Sequence, residues 1–209
     1  MHTPPGAIQR YNYGERVSHW LLAIGFFAAG LSGLAFFHPS MFWMTNFFGG
    51  GQWTRILHPF LGLIMSLFFI LLGLRVGRHN VIDASDKEWL KHAGEVMAGY
   101  EDRAPPAGRY NAGQKVLFWL LALCMLGLFV TGFVFWRPYI APMFPIWLVR
   151  LATLLHAVCA TGLILLVLGH IYMSIWTKGS VRAMTQGWVT RAWARFNHPA
   201  WFREVTRGR

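Results

Sequence analysis

The apolar positions of this chain gather into four long runs, at 20–37, 56–74, 118–135 and 151–176, with the charged residues in the segments between and beyond them. About 20 apolar residues in a helix cross a bilayer core of roughly 30 Å. With a few flanking residues each, the runs predict spans at about 18–37, 54–75, 115–136 and 148–176. The expectation is an all-α membrane protein, a four-helix transmembrane bundle in one integral-membrane domain, 1–209, with 177–209 as a tail. The opening MHTPPGAIQRYNYGERVSHW has no apolar h-region, so the first run reads as a retained membrane helix and not as a secretory signal.

Charge orients the bundle. An even number of spans puts both termini on one side. Lys and Arg number two in the arm (Arg10, Arg16), seven in the middle loop and seven in the tail, against only Arg55, Arg137 and Arg150 in the other two loops. Sixteen against three predicts cytoplasmic termini and a cytoplasmic middle loop. The net charge of +11 therefore belongs to the inner side of a multi-pass bacterial cytoplasmic-membrane protein, and nucleic acid is not an expected partner. Trp20, Trp43, Trp53, Trp136, Trp147 and Trp176 stand near run ends, where an aromatic belt meets lipid headgroups. The tail is basic with scattered aromatics and reads as a segment for the membrane surface or a partner subunit. Cys124 and Cys159 form no CxxC and read as small buried hydrophobes.

The chemistry lies in the histidines. Run four holds His156 and His170 with no charged residue around them, and an ionisable side chain inside a membrane span marks a functional site. Fourteen helical residues separate the two by about 21 Å along the axis and bring them to nearly one face. Of the other histidines, His2, His38, His79, His92 and His198 read as exposed or interfacial. His19 opens run one on the inner side and His58 opens run two on the outer side. Depth then allows His19 with His170 and His58 with His156. Two imidazoles per level are too few for zinc, and a proton relay would need carboxylates that the runs lack. They suit a six-coordinate haem that transfers electrons, and without a CxxCH the haem would be a non-covalent b type. The expected cofactors are thus two haems b, each held by two histidines. Pro59 is expected in the first turn of its helix, where a missing N–H costs nothing.

Several stretches resemble one family: RILHPFLG around His58, GRYNAGQK at 108–115, WRPY at 136–139, HIYMSIWTKGS from His170 and HPAWFREV near the end. The likeness, to the gamma subunit (cytochrome b556) of membrane-bound formate dehydrogenases of the N/O type, runs along essentially the whole chain. It implies a four-helix cytochrome with two haems b, the outer on His58 and His156 and the inner on His19 and His170. It also implies a quinone site, for menaquinone or ubiquinone, at Asn111, Ala112, Gly113 and Gln114. Read as residues alone, that tetrapeptide is equally a polar helix start. The implied partners are an iron–sulfur beta subunit and a molybdenum- or tungsten-pterin alpha subunit that oxidises formate, in a complex that trimerises in relatives. This chain would pass electrons from the iron–sulfur subunit to quinone on the cytoplasmic side. Other readings are the cytochrome b subunit of a hydrogenase or thiosulfate reductase, or a haem-free membrane anchor or transporter.

Overall fold

In the computed structural model each apolar run lies within one helix, save Phe135 just past the third: α1 (Tyr13–Phe37), α2 (Gly51–Val76), α5 (Ala112–Val134) and α6 (Ile146–Trp176). All four are long and apolar enough to cross a membrane, and helix makes up 78% of the chain. The structure describes residues 3–100, 103–137 and 139–207, so His2, Pro138 of the WRPY motif and Arg209 fall outside it. Between the second and third long helices come α3 (Ala84–Lys91) and α4 (Ala93–Met97). After the fourth come α7 (Ser180–Gln186), α8 (Arg191–Asn197) and α9 (Pro199–Thr206).

Two compact units divide the chain: a polar one of Met1–Arg16, Leu74–Trp119 and His170–Arg209, and an apolar one of Val17–Gly73 and Leu120–Gly169. In the apolar unit Ala29, Met65, Met125 and Leu163 form the core, with Leu22, Phe26, Leu61, Phe69 and Leu121 against it. Larger apolar side chains face outward: Leu123, Leu154 and Leu165 are all more than 60% exposed. A membrane bundle packs small residues inside and presents bulky ones to lipid, because lipid and core are equally apolar. Gly25 shows the packing, since a Cβ there would come within 3.3 Å of the Met65 backbone. Cys124 and Cys159 are both free thiols.

Pro59 corrects an expectation. Helix α2 begins at Gly51, so Pro59 lies in its interior and not in its first turn. The ring removes the hydrogen bond that residue 59 would donate to the Arg55 carbonyl, directly beside His58. The helix starts five residues ahead of the apolar run, which opens at Ile56. Gly49 and Gly50 do adopt left-handed φ values of 83° and 96°, but Gly51 is already helical. The loop ahead of them is also not irregular: Pro39–Phe48 forms a 3₁₀ helix.

The polar unit is built on reciprocal caps. Asn12 with Glu15, Asp83 with Asp86, and Asn111 with Gln114 each exchange side-chain and backbone hydrogen bonds of 2.7–3.1 Å at the starts of α1, α3 and α5. Each box satisfies two orphan amides, and α1 and α5 begin ahead of their apolar runs. The tail folds onto the arm. Strand β1 (Ala7–Gln9) pairs antiparallel with β2 (Trp188–Thr190) in the register Ala7↔Thr190, Ile8↔Val189, Gln9↔Trp188. Ala183, Val189, Ala194 and Trp201 form the core beneath, packed against Ile8 and Tyr11. No periodic pattern in the basic tail had predicted this ladder.

Candidate functional site

Inside the apolar unit the imidazoles of His58 on α2 and His156 on α6 face one another, with ring centres 6.2 Å apart. Each is steered by a hydroxyl on the preceding long helix. Ser32 Oγ lies 2.8 Å from His58 Nδ1, and Thr131 Oγ1 lies 2.9 Å from His156 Nδ1. The hydroxyl protons are already committed. Ser32 donates to the Ala29 carbonyl at 3.0 Å and Thr131 to the Gly127 carbonyl at 2.6 Å. A hydroxyl has one proton, so each can only accept from the imidazole. Both rings are thereby fixed as the Nδ1–H tautomer, with a bare lone pair on Nε2. Metal-binding histidines are held in this way by their other nitrogen.

The residue after each hydroxyl completes the seat. A Cβ on Gly33 would stand 3.1 Å from His58 Cε1, and one on Gly132 would stand 3.4 Å from His156 Cε1. Glycine at these positions lets the rings lie against the helix backbone. A Ser-Gly pair 26 residues before one histidine thus matches a Thr-Gly pair 25 residues before the other. Sequence reasoning missed Ser32 and Thr131, although the repeated hydroxyl-glycine spacing was there to be found. Phe135 adds an edge contact to His156 at 5.0 Å.

The remaining expected residues lie as follows. His19 is in the apolar unit on α1, its ring edge-on to Trp20 at 5.4 Å. His170 is in the polar unit on α6, its carbonyl accepting from Ser174 Oγ at 2.7 Å. The structure therefore brings together His58 and His156, while His19 and His170 belong to separate units. Asn111, Ala112, Gly113 and Gln114 form the first turn of α5. The cap occupies the two carboxamide oxygens and leaves both NH₂ groups as donors. Ala112 is buried, and Asn111 and Ala112 line a cavity of about 170 Å³ with Asp83, Asp86, Trp89 and Lys115.

His198 is a further correction. The sequence reads it as exposed or interfacial, yet it is 2% exposed, with Nδ1 2.9 Å from the Gly108 carbonyl and Nε2 3.3 Å from the Arg10 guanidinium. Burial, and secondarily Arg10, push its pKa down to about 3, so it is a neutral acceptor for that cation. Arg10 also donates to the Arg109 carbonyl and lies 4.4 Å from the Trp201 ring centre. Tyr11, Tyr110 and Trp193 surround it further out.

Four lipid-compatible helices and a tautomer-fixed imidazole pair inside them define the class: an integral-membrane helical-bundle cytochrome. The chain belongs to the prokaryotic cytochrome b561 family, whose pattern matches residues 10–187. It is 43% identical over 198 residues to the formate dehydrogenase cytochrome b556(fdo) subunit of Escherichia coli K12, covering 95% of this chain and 93% of that protein. The nitrate-inducible formate dehydrogenase cytochrome b556(Fdn) subunit of the same strain is 42% identical, covering 95% and 91%. The formate dehydrogenase cytochrome b556 subunit of Haemophilus influenzae is 44% identical over 197 residues, covering 94% and 83%. The family implies haem b and a role in membrane electron transport. The imidazole pair fits that cofactor. Two neutral imidazoles with Nε2 bare and ring centres 6.2 Å apart would hold its iron between them.

Proposed function

We propose that this chain is the membrane-anchoring cytochrome b subunit of a respiratory formate dehydrogenase, one integral-membrane domain with both termini in the cytoplasm. His58 and His156 would hold an outer haem b, and His19 and His170 an inner one. The observation that carries this reading is the His58–His156 pair with both Nε2 lone pairs left bare by Ser32 and Thr131. When bound, the haems supply one-electron transfer between an iron–sulfur partner on the outer side and quinone on the inner side. Formate oxidation itself belongs to a molybdenum- or tungsten-pterin subunit, and relatives named as formate dehydrogenase subunits support such an assembly.

The chain's own residues would orient the imidazoles, exclude water and receive the quinone. Asn111 and Gln114 retain carboxamide NH₂ donors for a quinone carbonyl, and Ala112 and Trp89 give an apolar wall. Electrons moving inward against a negative interior conserve about 2.3 kcal/mol per charge per 100 mV. A pyridine haemochrome assay on purified protein tests the reading and should give two haems b per chain. His58→Ala should leave one, with loss of formate-to-quinone transfer. Two haems retained in that variant would refute the pairing, and co-purification of formate-oxidising subunits separates this complex from a hydrogenase or thiosulfate reductase.

A further inference from the structure

Lys115 is the fourth residue of α5, one position after Gln114, and its side chain is only 11% exposed. Its Nζ lies 2.6 Å from Asp86 Oδ2 and 3.6 Å from Asp83 Oδ2. The two carboxylates differ in their access to water: Asp86 is 7% exposed and Asp83 is 59% exposed. Asp86 Oδ2 also accepts the Asp83 amide at 2.8 Å, while Asp83 Oδ1 accepts from Ser85 and from the Asp86 amide. Those hydrogen bonds, Ser85 foremost, hold the Asp83 carboxyl below the ordinary carboxylate range, and Lys115 adds to the effect. The cluster thus runs from solvent through Asp83 to the Lys115 ammonium and on to a buried carboxylate. It opens into the same cavity of about 170 Å³ that Asn111 and Ala112 line. Among the described residues lining that cavity, no other side chain is charged.

A structural ion pair is the simpler account, but it explains little here. Removing two charges from water offsets most of their attraction, so a buried pair is weak evidence for stability. The start of α5 is already closed by the Asn111–Gln114 box and that of α3 by the Asp83–Asp86 box. Reduction of a quinone, in contrast, needs protons at the point where electrons arrive. Each carbonyl oxygen takes up one electron and one proton to become a hydroxyl.

We infer that Lys115 is a proton donor to quinone reduced beside Asn111, with Asp86 holding its ammonium in place and the exposed Asp83 carboxylate keeping it in reach of water. The inference rests on quinone binding at Asn111–Gln114. In the step the Lys115 N–H bond breaks and a quinol O–H bond forms. The electrons come through haem b, and the neutral amine takes its proton back from water on the exposed Asp83 side. One of the two protons takes this route.

The test uses the intact complex in detergent, reduced by formate and mixed with a soluble short-chain quinone. Haem reoxidation is followed by stopped flow between about pH 6 and 9. Lys115→Arg keeps the cation and can reach both carboxylates, but a guanidinium does not release its proton. Reoxidation should slow roughly a hundredfold, the scale of a lost general acid, and the residual rate should fall as pH rises. Haem content, melting temperature and the KM for quinone should stay at native values. Lys115→Met should be as slow as the arginine variant. A native rate in Lys115→Arg would reduce Lys115 to an ion-pair partner and overturn the inference, as would a change confined to KM. Gln114→Ala separates the two readings: native quinone reduction in that variant would refute the site itself, whatever Lys115 does.

Discussion

Among the described residues, the polar side chains of the apolar unit that are buried as a whole carry hydroxyls: Ser18, Ser32, Thr45, Thr54, Ser66 and Thr131. In the polar unit they are mostly charged or strongly polar: Arg10, Glu15, Arg16, Asn80, Asp86, Lys115 and His198. A hydroxyl can donate to a carbonyl of its own helix, as Ser32, Thr54 and Thr131 do. A span carrying it can therefore enter hydrocarbon before any neighbour arrives, and its acceptor capacity remains for an imidazole. An ion has no such local solution. Arg10 draws on Arg109, His198 and Trp201, which lie about half the chain length or more away. Polar chemistry in the bundle is thus prepared helix by helix, whereas in the polar unit it depends on distant segments meeting.

The largest effect that could break this contrast is expected at Arg10. Arg10→Met would leave the Arg109 carbonyl and His198 Nε2 without their donor, at a cost of about 2–4 kcal/mol. The tail should become open to limited proteolysis while the haem spectrum persists. A stable tail would show that the aromatic cage and ladder suffice. A pH-dependent effect, absent near neutrality, is expected at His198. Its folded pKa, about 3, lies below the ordinary 6.5, so the unfolded state binds the extra proton in between. The stability linked to this group is complete above pH 6.5 and is lost as pH falls toward 3, by roughly 1.4 kcal/mol per pH unit. His198→Gln should flatten that acid slope in tryptophan-fluorescence titrations, and an unchanged slope would assign it elsewhere.

The smallest effect is expected in the bundle. Thr131→Val keeps the shape but removes the acceptor for His156 Nδ1–H, while Thr131→Ser keeps it. The valine variant should retain haem and shift one midpoint potential by no more than about 60 mV, a tenfold change in relative affinity for a one-electron couple. The serine variant should stay at the native potential. Loss of haem in Thr131→Val would mean that the hydroxyl holds the site together and does not merely tune it.

These differences also explain what could be read from the sequence. The four helices were legible because apolar runs leave the backbone no other way to satisfy itself in lipid. The approach of His58 to His156 was legible for a related reason, since imidazoles stand out in such runs. Their hydroxyl partners did not, because Ser and Thr within a span usually serve only their own backbone. Pro59 was misplaced because its helix starts five residues ahead of the apolar run. His198 and the β1–β2 ladder escaped entirely. The segments involved are short, lack periodicity and are defined by contacts across most of the chain.

The ladder has a consequence for biosynthesis. Its strands are far apart in sequence, Ile8 meeting Val189, so the first strand made must wait until all four long helices have been made. Until the ribosome has passed the final span, the arm has no edge to join and the pocket for Trp201 has no lining. A message truncated after α6 would yield four spans with an unpaired N-terminal strand, ready for a protease. Closure of the ladder therefore reports that synthesis has passed β2.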